Sequence, residues 1–159
     1  MMKINQGFAY IALLAALAVL MLVLTSASES VSIKAKRERE QQLFFVGSQF
    51  RNAIASYYEN SAKAVKQFPL SLDELVQDKR TINTTYHLRK IYRDPMSNEA
   101  SWGLVKNTQQ QIVGIYSLSS EAVLKTNVDP SLVTKEIKQG VLLYSDLKFI
   151  YTPKLELKR

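Results

Sequence analysis

Cysteine is absent from this chain, and histidine, tryptophan, glycine and proline are scarce. Its 159 residues include 1 histidine, 1 tryptophan, 5 glycines and 4 prolines. Without a thiol, the protein forms no disulfide, Cys-ligated zinc site or iron–sulfur cluster, and it has no cysteine nucleophile. Any histidine-based metal site or Ser/His nucleophile must be built around His87. The length suits one small domain besides an anchoring segment, which excludes a multidomain enzyme.

Charge is missing from most of the N-terminal region. No charged residue lies between Lys3 and Glu29, and residues 8–24 read FAYIALLAALAVLMLVL. A helix rises about 1.5 Å per residue, so roughly 20 residues cross a hydrocarbon core about 30 Å thick. A helix that is apolar on every side has lipid or a tightly packed bundle around it. The sequence therefore predicts a transmembrane helix over residues 8–28.

Two other interpretations of this segment compete with the membrane span. A core helix of a soluble protein would show polar positions, and the rest of the chain is too small to surround it. A secretory signal peptide has a shorter apolar region of about 7–15 residues and ends in a cleavage site. Here the helical pattern continues, with apolar residues spaced by three and four along one face. These residues are Leu43, Val46, Phe50, Ile54 and Tyr57.

A single helix from about residue 8 to about residue 60 follows from this pattern, amphipathic over residues 29–62. No proline or glycine interrupts residues 8–46, and Gly47 is the one expected weak point. Residues 34–40 mix both signs of charge at helical spacing, which predicts a solvated helix face. Taken alone, the basic residues there favour a cytoplasmic C-terminal domain by the positive-inside rule.

The region after the long helix begins with a helix-start signal. Ser71 and Glu74 have the spacing of a capping box, which predicts a short helix over residues 72–78. Residues 81–85 are polar and predict a loop. Residues 86–92 fit either a short strand or a turn of helix, and the sequence leaves both open.

Two β-branched, apolar runs further along predict a β-hairpin. They are residues 102–106 and 112–118, separated by a polar stretch. In the tail, Asp129 followed by proline predicts a capped helix over residues 130–138 that ends at Gly140. Residues 141–151 could supply one more strand. One long helix and a small antiparallel sheet give an α+β fold class.

The first residues carry a specific family signal. Lys3-Ile-Asn-Gln-Gly7, followed by Phe8 and an uncharged helix, resembles the leader of type IV pilins and type II secretion pseudopilins. In that family a prepilin peptidase cuts after the glycine, and the new N-terminal phenylalanine is methylated. The resemblance implies a leader peptide over residues 1–7, cleavage between Gly7 and Phe8, and N-methylation of Phe8.

Further segments resemble a major-pseudopilin-like branch of the same family, so the resemblance covers about residues 3–121. It implies a pilin-like fold with a globular domain over residues 63–121, whereas the extension over residues 122–159 matches no known pattern. The matching segments are Arg37-Glu-Arg-Glu40, Leu43-Phe-Phe-Val-Gly47, Phe50-Arg-Asn-Ala-Ile54, Tyr57-Tyr58, Phe68-Pro-Leu-Ser-Leu-Asp-Glu-Leu75, Asp94-Pro-Met-Ser97, Trp102-Gly-Leu-Val105 and Gly114-Ile-Tyr-Ser-Leu-Ser119.

One position departs from the family pattern. Members usually carry glutamate at the fifth residue after the cut, and this chain has Ala12 there. In the family, a buried glutamate pairs with the N-terminal amine of a neighbouring subunit and sets the register between helices. Its absence favours an accessory position in a filament over service as the major repeating subunit.

The function that the resemblance implies is structural. The protein is expected to be a pseudopilin-like assembly subunit without enzymatic activity or cofactor, anchored once in a bacterial inner membrane with its C-terminal domain in the periplasm. Expected partners are prepilin peptidase, other pseudopilins or pilins, the inner-membrane assembly platform and the lipid bilayer. Calcium is not expected, because no cluster of oxygen ligands is visible in the C-terminal loop.

The alternative function is that of a minor-pilin-like binding module that contacts DNA or a surface ligand. A formal net charge of +7 permits such contacts. Lysine and arginine are spread along the whole chain, however, so the sequence shows no concentrated groove, and nucleic acid is not an expected partner.

Overall fold

The protein has an α+β fold with one long helix and a small antiparallel sheet. The computed structural model describes residues 6–61, 66–133 and 140–153, and within the helix it leaves the side chains of residues 6 and 22–30 undescribed. The predicted leader over residues 1–7 therefore lies largely outside the described residues. The chain divides into two compact units, residues 1–38 and 39–159, and the division falls within the long helix.

Helix α1 spans Gln6–Glu59, which confirms the predicted single helix. In the first unit, the side chains of residues 7–21 are all exposed. Among the described residues, no helix combines the length and the apolar character that crossing a membrane requires. The predicted span over residues 8–28 extends into positions whose side chains are not described.

In the second unit, one face of α1 supplies 6 of the 16 buried hydrophobic residues of the described core. All five positions predicted from the spacing of apolar residues are buried, each at most 3% exposed. The helix continues through Gly47, the expected weak point, and the ring of Phe149 packs directly onto this residue. A Cβ atom at this position would lie 2.5 Å from three ring atoms of Phe149. The glycine thus permits a close approach between α1 and the C-terminal strand.

The predicted hairpin forms two strands of a three-stranded antiparallel sheet. Strand β1 spans Gly103–Lys106 and strand β2 spans Ile112–Tyr116, with a register irregularity between Val105 and Lys106. Strand β3 spans Lys148–Ile150 and pairs with β2, so the sheet order is β1-β2-β3. The sheet packs its buried side chains against α1.

The connection between α1 and the sheet contains less regular structure than predicted. Helix α2 spans only Asp73–Val76. Its N-cap residue is Leu72, which makes no side-chain cap, so the predicted Ser71 capping box is wrong. Instead, Glu74 Oε2 accepts hydrogen bonds from the Leu70 amide and the Tyr57 hydroxyl. Residues 81–92 form neither a helix nor a strand, apart from a bridge at Thr85.

The tail completes the core of the second unit. Asp129 accepts a hydrogen bond from the Ser131 amide and caps a short 3-10 turn over Pro130–Leu132, which confirms the predicted cap. The rest of the helix predicted over residues 130–138 falls largely on residues 134–139, outside the described residues. Of the strand predicted over residues 141–151, only β3 forms, and a 3-10 turn over Tyr144–Asp146 precedes it. Three fully buried tail residues pack on α1 and the sheet: Tyr144, Leu147 and Phe149.

Candidate functional site

The predicted processing junction lies at the start of α1. Gly7 and Phe8 are both helical, and the Phe8 side chain is 75% exposed. A Cβ atom at Gly7 would meet no atom within 4 Å, so the local packing does not require glycine there. This openness is what a junction read by another protein needs. Cleavage between Gly7 and Phe8 and methylation of Phe8 stay predictions.

His87, the only histidine, lies in a buried polar network rather than at the surface. Its side chain is 1% exposed. Ser56 Oγ of α1 lies 2.8 Å from Nδ1, and Asp78 Oδ2 lies 3.2 Å from Nε2. Both ring nitrogens thus have a partner, and the ring connects α1 to the segment that follows α2. The sequence showed no companion for His87, because Ser56 is 31 residues away.

Arg80 joins the same network from the other side. Its guanidinium donates to both carboxylate oxygens of Asp78, at 2.9 Å and 2.7 Å, and to Ser61 Oγ and the Tyr57 carbonyl. The guanidinium carbon also lies 3.4 Å from the centre of the Tyr57 ring. The hydrogen bonds from Arg80 hold the pKa of the Asp78 carboxyl well below its usual range. Burial and the Glu74 carboxylate raise the pKa of Tyr57.

Ser56, His87 and Asp78 contact one another in the same order as the serine, histidine and aspartate of a hydrolase triad. The surroundings favour a structural role. A serine nucleophile needs room for a substrate and donors for the developing oxyanion. The neighbouring cleft is lined by Tyr57, Gln77 and Arg80, among others, and neither Ser56 nor His87 lines it. The donors around Asp78 stabilise its charge, and His87 links the Ser56 hydroxyl of α1 to the Asp78 carboxylate.

The lowered pKa of Asp78 makes the network sensitive to acid. A carboxyl whose pKa falls on folding stabilises the folded state above its ordinary pKa and loses that contribution as the pH falls. We therefore expect the free energy of unfolding to decrease as the pH drops below about 4. Asp78→Asn should lower stability at pH 7 and flatten this acid dependence, whereas Asp73→Asn, at an exposed position, should leave it intact. Urea unfolding followed by circular dichroism across this pH range is the measurement.

A second buried carboxylate, Glu40, holds the tail against α1. Its side chain is 6% exposed, although the sequence placed it on a solvated face with Lys36. Glu40 Oε1 accepts hydrogen bonds from the amides of Leu124 and Lys125, both at 3.0 Å, and from the Tyr144 hydroxyl at 3.1 Å. Burial and the Glu40 charge raise the pKa of Tyr144 to about 12.

Two further acidic residues, Asp94 and Asp129, have hydrogen-bond partners within the protein. Asp94 is fully buried, and its carboxylate accepts from the Met96 amide, Ser97 Oγ and Ser117 Oγ, which fixes the turn after it. Asp129 is the cap described above. Within the described residues, no three metal-ligating side chains meet in a group that could hold an ion.

Sequence reasoning missed Glu40 because its partners lie 84 or more residues further along the chain. It missed the Asp78 network because Arg80 and His87 connect Asp78 to residues of α1 and Ser61 that are 19–31 residues away from them. The only sequence signal available for Glu40 was its place on the helix, three residues before Leu43 on the buried face. Comparison with known proteins adds nothing to the assignment, since no family model, curated protein or solved structure matches this chain.

Proposed function

We propose that the protein is an accessory subunit of a type II secretion or type IV pilus-like assembly. In this proposal prepilin peptidase removes residues 1–7, Phe8 is methylated, and residues 8–28 anchor the chain once in a bacterial inner membrane. The domain on the far side of the membrane lies in the periplasm. Its partners are other pilins or pseudopilins and the membrane assembly platform.

The observation that carries this proposal is the continuity of α1. The helix runs without a break from Gln6 to Glu59. Its first part exposes uncharged, apolar side chains, and its last part supplies the buried face of an α+β unit. One helix that serves both as an apolar anchor and as a structural element of a polar domain suits a subunit that moves from a membrane into a helical filament. The leader sequence before Phe8 supports the same proposal.

The polar networks support a scaffold rather than an enzyme. Buried carboxylates at Glu40, Asp78 and Asp94 all accept hydrogen bonds from the protein itself. Carboxylates that are hydrogen-bonded in this way fix the positions of loops. In the proposed function, the protein therefore acts by assembling with partners.

Ala12 determines how the protein is expected to assemble. A glutamate inside the membrane costs at least about 2.5–3.5 kcal/mol on insertion scales, and pairing with a neighbour's amine offsets that cost. Ala12 avoids the cost and loses the attraction, leaving close packing through small residues such as Ala9 and Ala16. We expect overproduction of this protein alone to give monomers or small clusters, and filaments to contain it only together with glutamate-bearing partners.

Electron microscopy of cells that overproduce the protein, with and without such partners, tests this expectation. Ala12→Glu should promote fibres of this chain alone, whereas Ala16→Glu, with the same charge at a different register, should not. Abundant fibres from the unaltered chain alone would contradict the accessory role, and absence from partner filaments would contradict the proposed function.

A further inference from the structure

A short cleft beside α1 has an unusual concentration of positive charge. We call it the basic cleft; it has a volume of about 390 Å³ and lies between α1 and the segment around Asp94. Its cationic side chains are Lys90 and Arg93, and its amide side chains are Gln42 and Asn98. All four residues are exposed to solvent.

Within the part of the chain that the structure describes, no salt bridge pairs the cations of the basic cleft. No acidic residue occurs from residue 79 to residue 93, a stretch with five lysines and arginines. Among the described residues, neither Lys90 nor Arg93 has a carboxylate partner; Lys90 Nζ lies 5.4 Å from the centre of the Tyr92 ring. An unpaired lysine and arginine at one cleft attract an anion from solution.

The one acidic residue among those that line the cleft, Asp94, is engaged by donors of the protein itself. Asp94 is fully buried, and Ser117 Oγ donates to its Oδ2 at 2.6 Å, Ser97 Oγ donates to the same atom, and the Met96 amide donates to Oδ1. These donors occupy the carboxylate and stabilise its charge. The Asn98 amide donates to the Asp94 carbonyl at 2.8 Å, which positions Asn98 at the cleft.

We propose that the basic cleft binds a phosphate group. Arginine offers a planar fork that matches two phosphate oxygens, and lysine adds a compact charge. The side-chain amides of Gln42 and Asn98 donate to the remaining oxygens. The volume accommodates a phosphate monoester or diester head, and the same chemistry is presented by free phosphate and by an anionic phospholipid headgroup.

The chain carries its own reporter for this site. Trp102 is the only tryptophan, it is 7% exposed, and its indole Nε1 donates to the carbonyl of Tyr92, a residue that lines the cleft. Binding that shifts residues 90–93 should change the environment of this indole. Tryptophan fluorescence of the full chain in neutral detergent micelles therefore follows occupancy directly.

The test titrates inorganic phosphate and glycerol 3-phosphate into the full chain. We expect a saturable fluorescence change, and Lys90→Gln with Arg93→Gln should weaken the apparent affinity about tenfold or more. Arg89→Gln with Lys106→Gln removes the same charge at exposed positions that do not line the cleft, and it should change the affinity less than about twofold. Thermal melts of both double variants establish that they are folded.

Bilayer discs distinguish the two sources of phosphate. A response in discs that contain phosphatidylglycerol but not in pure phosphatidylcholine, reversed by glycerol 3-phosphate, identifies the headgroup as the ligand. A response to soluble phosphate with no difference between the discs identifies a free phosphate compound. No saturable response to any of these probes, or an equal loss of affinity in the two double variants, would overturn the proposal. None of these measurements depends on whether the chain enters a filament.

Discussion

Glu40→Leu is expected to lower the free energy of unfolding by about 3–5 kcal/mol. The substitution leaves the amides of Leu124 and Lys125 and the Tyr144 hydroxyl without their acceptor, and an unpaired buried donor costs about 1–3 kcal/mol. The loss of these bonds also frees the start of the tail from α1. For a domain of this size the melting temperature should fall by about 10 °C or more.

Two matched variants identify the cause of this effect. Glu40→Gln keeps an acceptor oxygen at the position of Oε1 and removes the charge, so its loss of stability should be about half as large. Glu38→Leu makes the same side-chain change at an exposed position of α1 and should stay within about 0.5 kcal/mol of the unaltered protein. Circular dichroism melts of the three variants in one detergent give the comparison. Equal melting temperatures for Glu40→Leu and Glu38→Leu would show that Glu40 does not hold the tail.

Removal of the apolar part of α1 is expected to convert the protein from membrane-bound to soluble without unfolding it. Every described buried residue of the chain lies at or after Glu40, so a chain that begins at Ser28 retains the entire described core. We expect this shorter chain to remain in the supernatant after ultracentrifugation and to melt cooperatively. The full chain should stay with the membrane fraction after an alkaline wash.

The matched control for this experiment keeps the length of the chain. Leu17→Arg with Leu20→Arg adds two charges to the apolar run, each of which costs about 2.5–3.5 kcal/mol at the centre of a span. We expect this variant to lose membrane association while its second unit stays folded. Aggregation of the chain that begins at Ser28 would instead show that the apolar run packs on the domain, as in the core-helix interpretation.

The elements that sequence analysis predicted correctly depend on local patterns. The buried face of α1 follows from the spacing of Leu43, Phe50 and Tyr57, because residues three and four apart share one side of a helix. The hairpin follows from two β-branched runs on either side of a polar turn. The cap at Asp129 depends on the next two residues alone.

The features that sequence analysis missed depend on partners far away in the chain. Glu40 meets amides 84 and 85 residues later, and its position three residues before Leu43 is the one local sign of its burial. The capping box predicted at Ser71 failed because Glu74 bonds to Tyr57 of α1 and the Leu70 amide, so tertiary contacts replaced the local ones. His87 likewise received its partners from two different segments. In each case, the partners of the buried polar group come together only when the core is assembled.

The N-terminal residue of the mature protein tests the proposed function most directly. Mass spectrometry of the protein extracted from membranes gives both the cleavage point and any modification. The proposed function predicts a chain that begins at Phe8 with a methylated α-amine in cells that contain prepilin peptidase, and an unprocessed chain in cells that lack it. A chain that still begins at Met1 in the presence of the peptidase, or one cut after the apolar run, would contradict it.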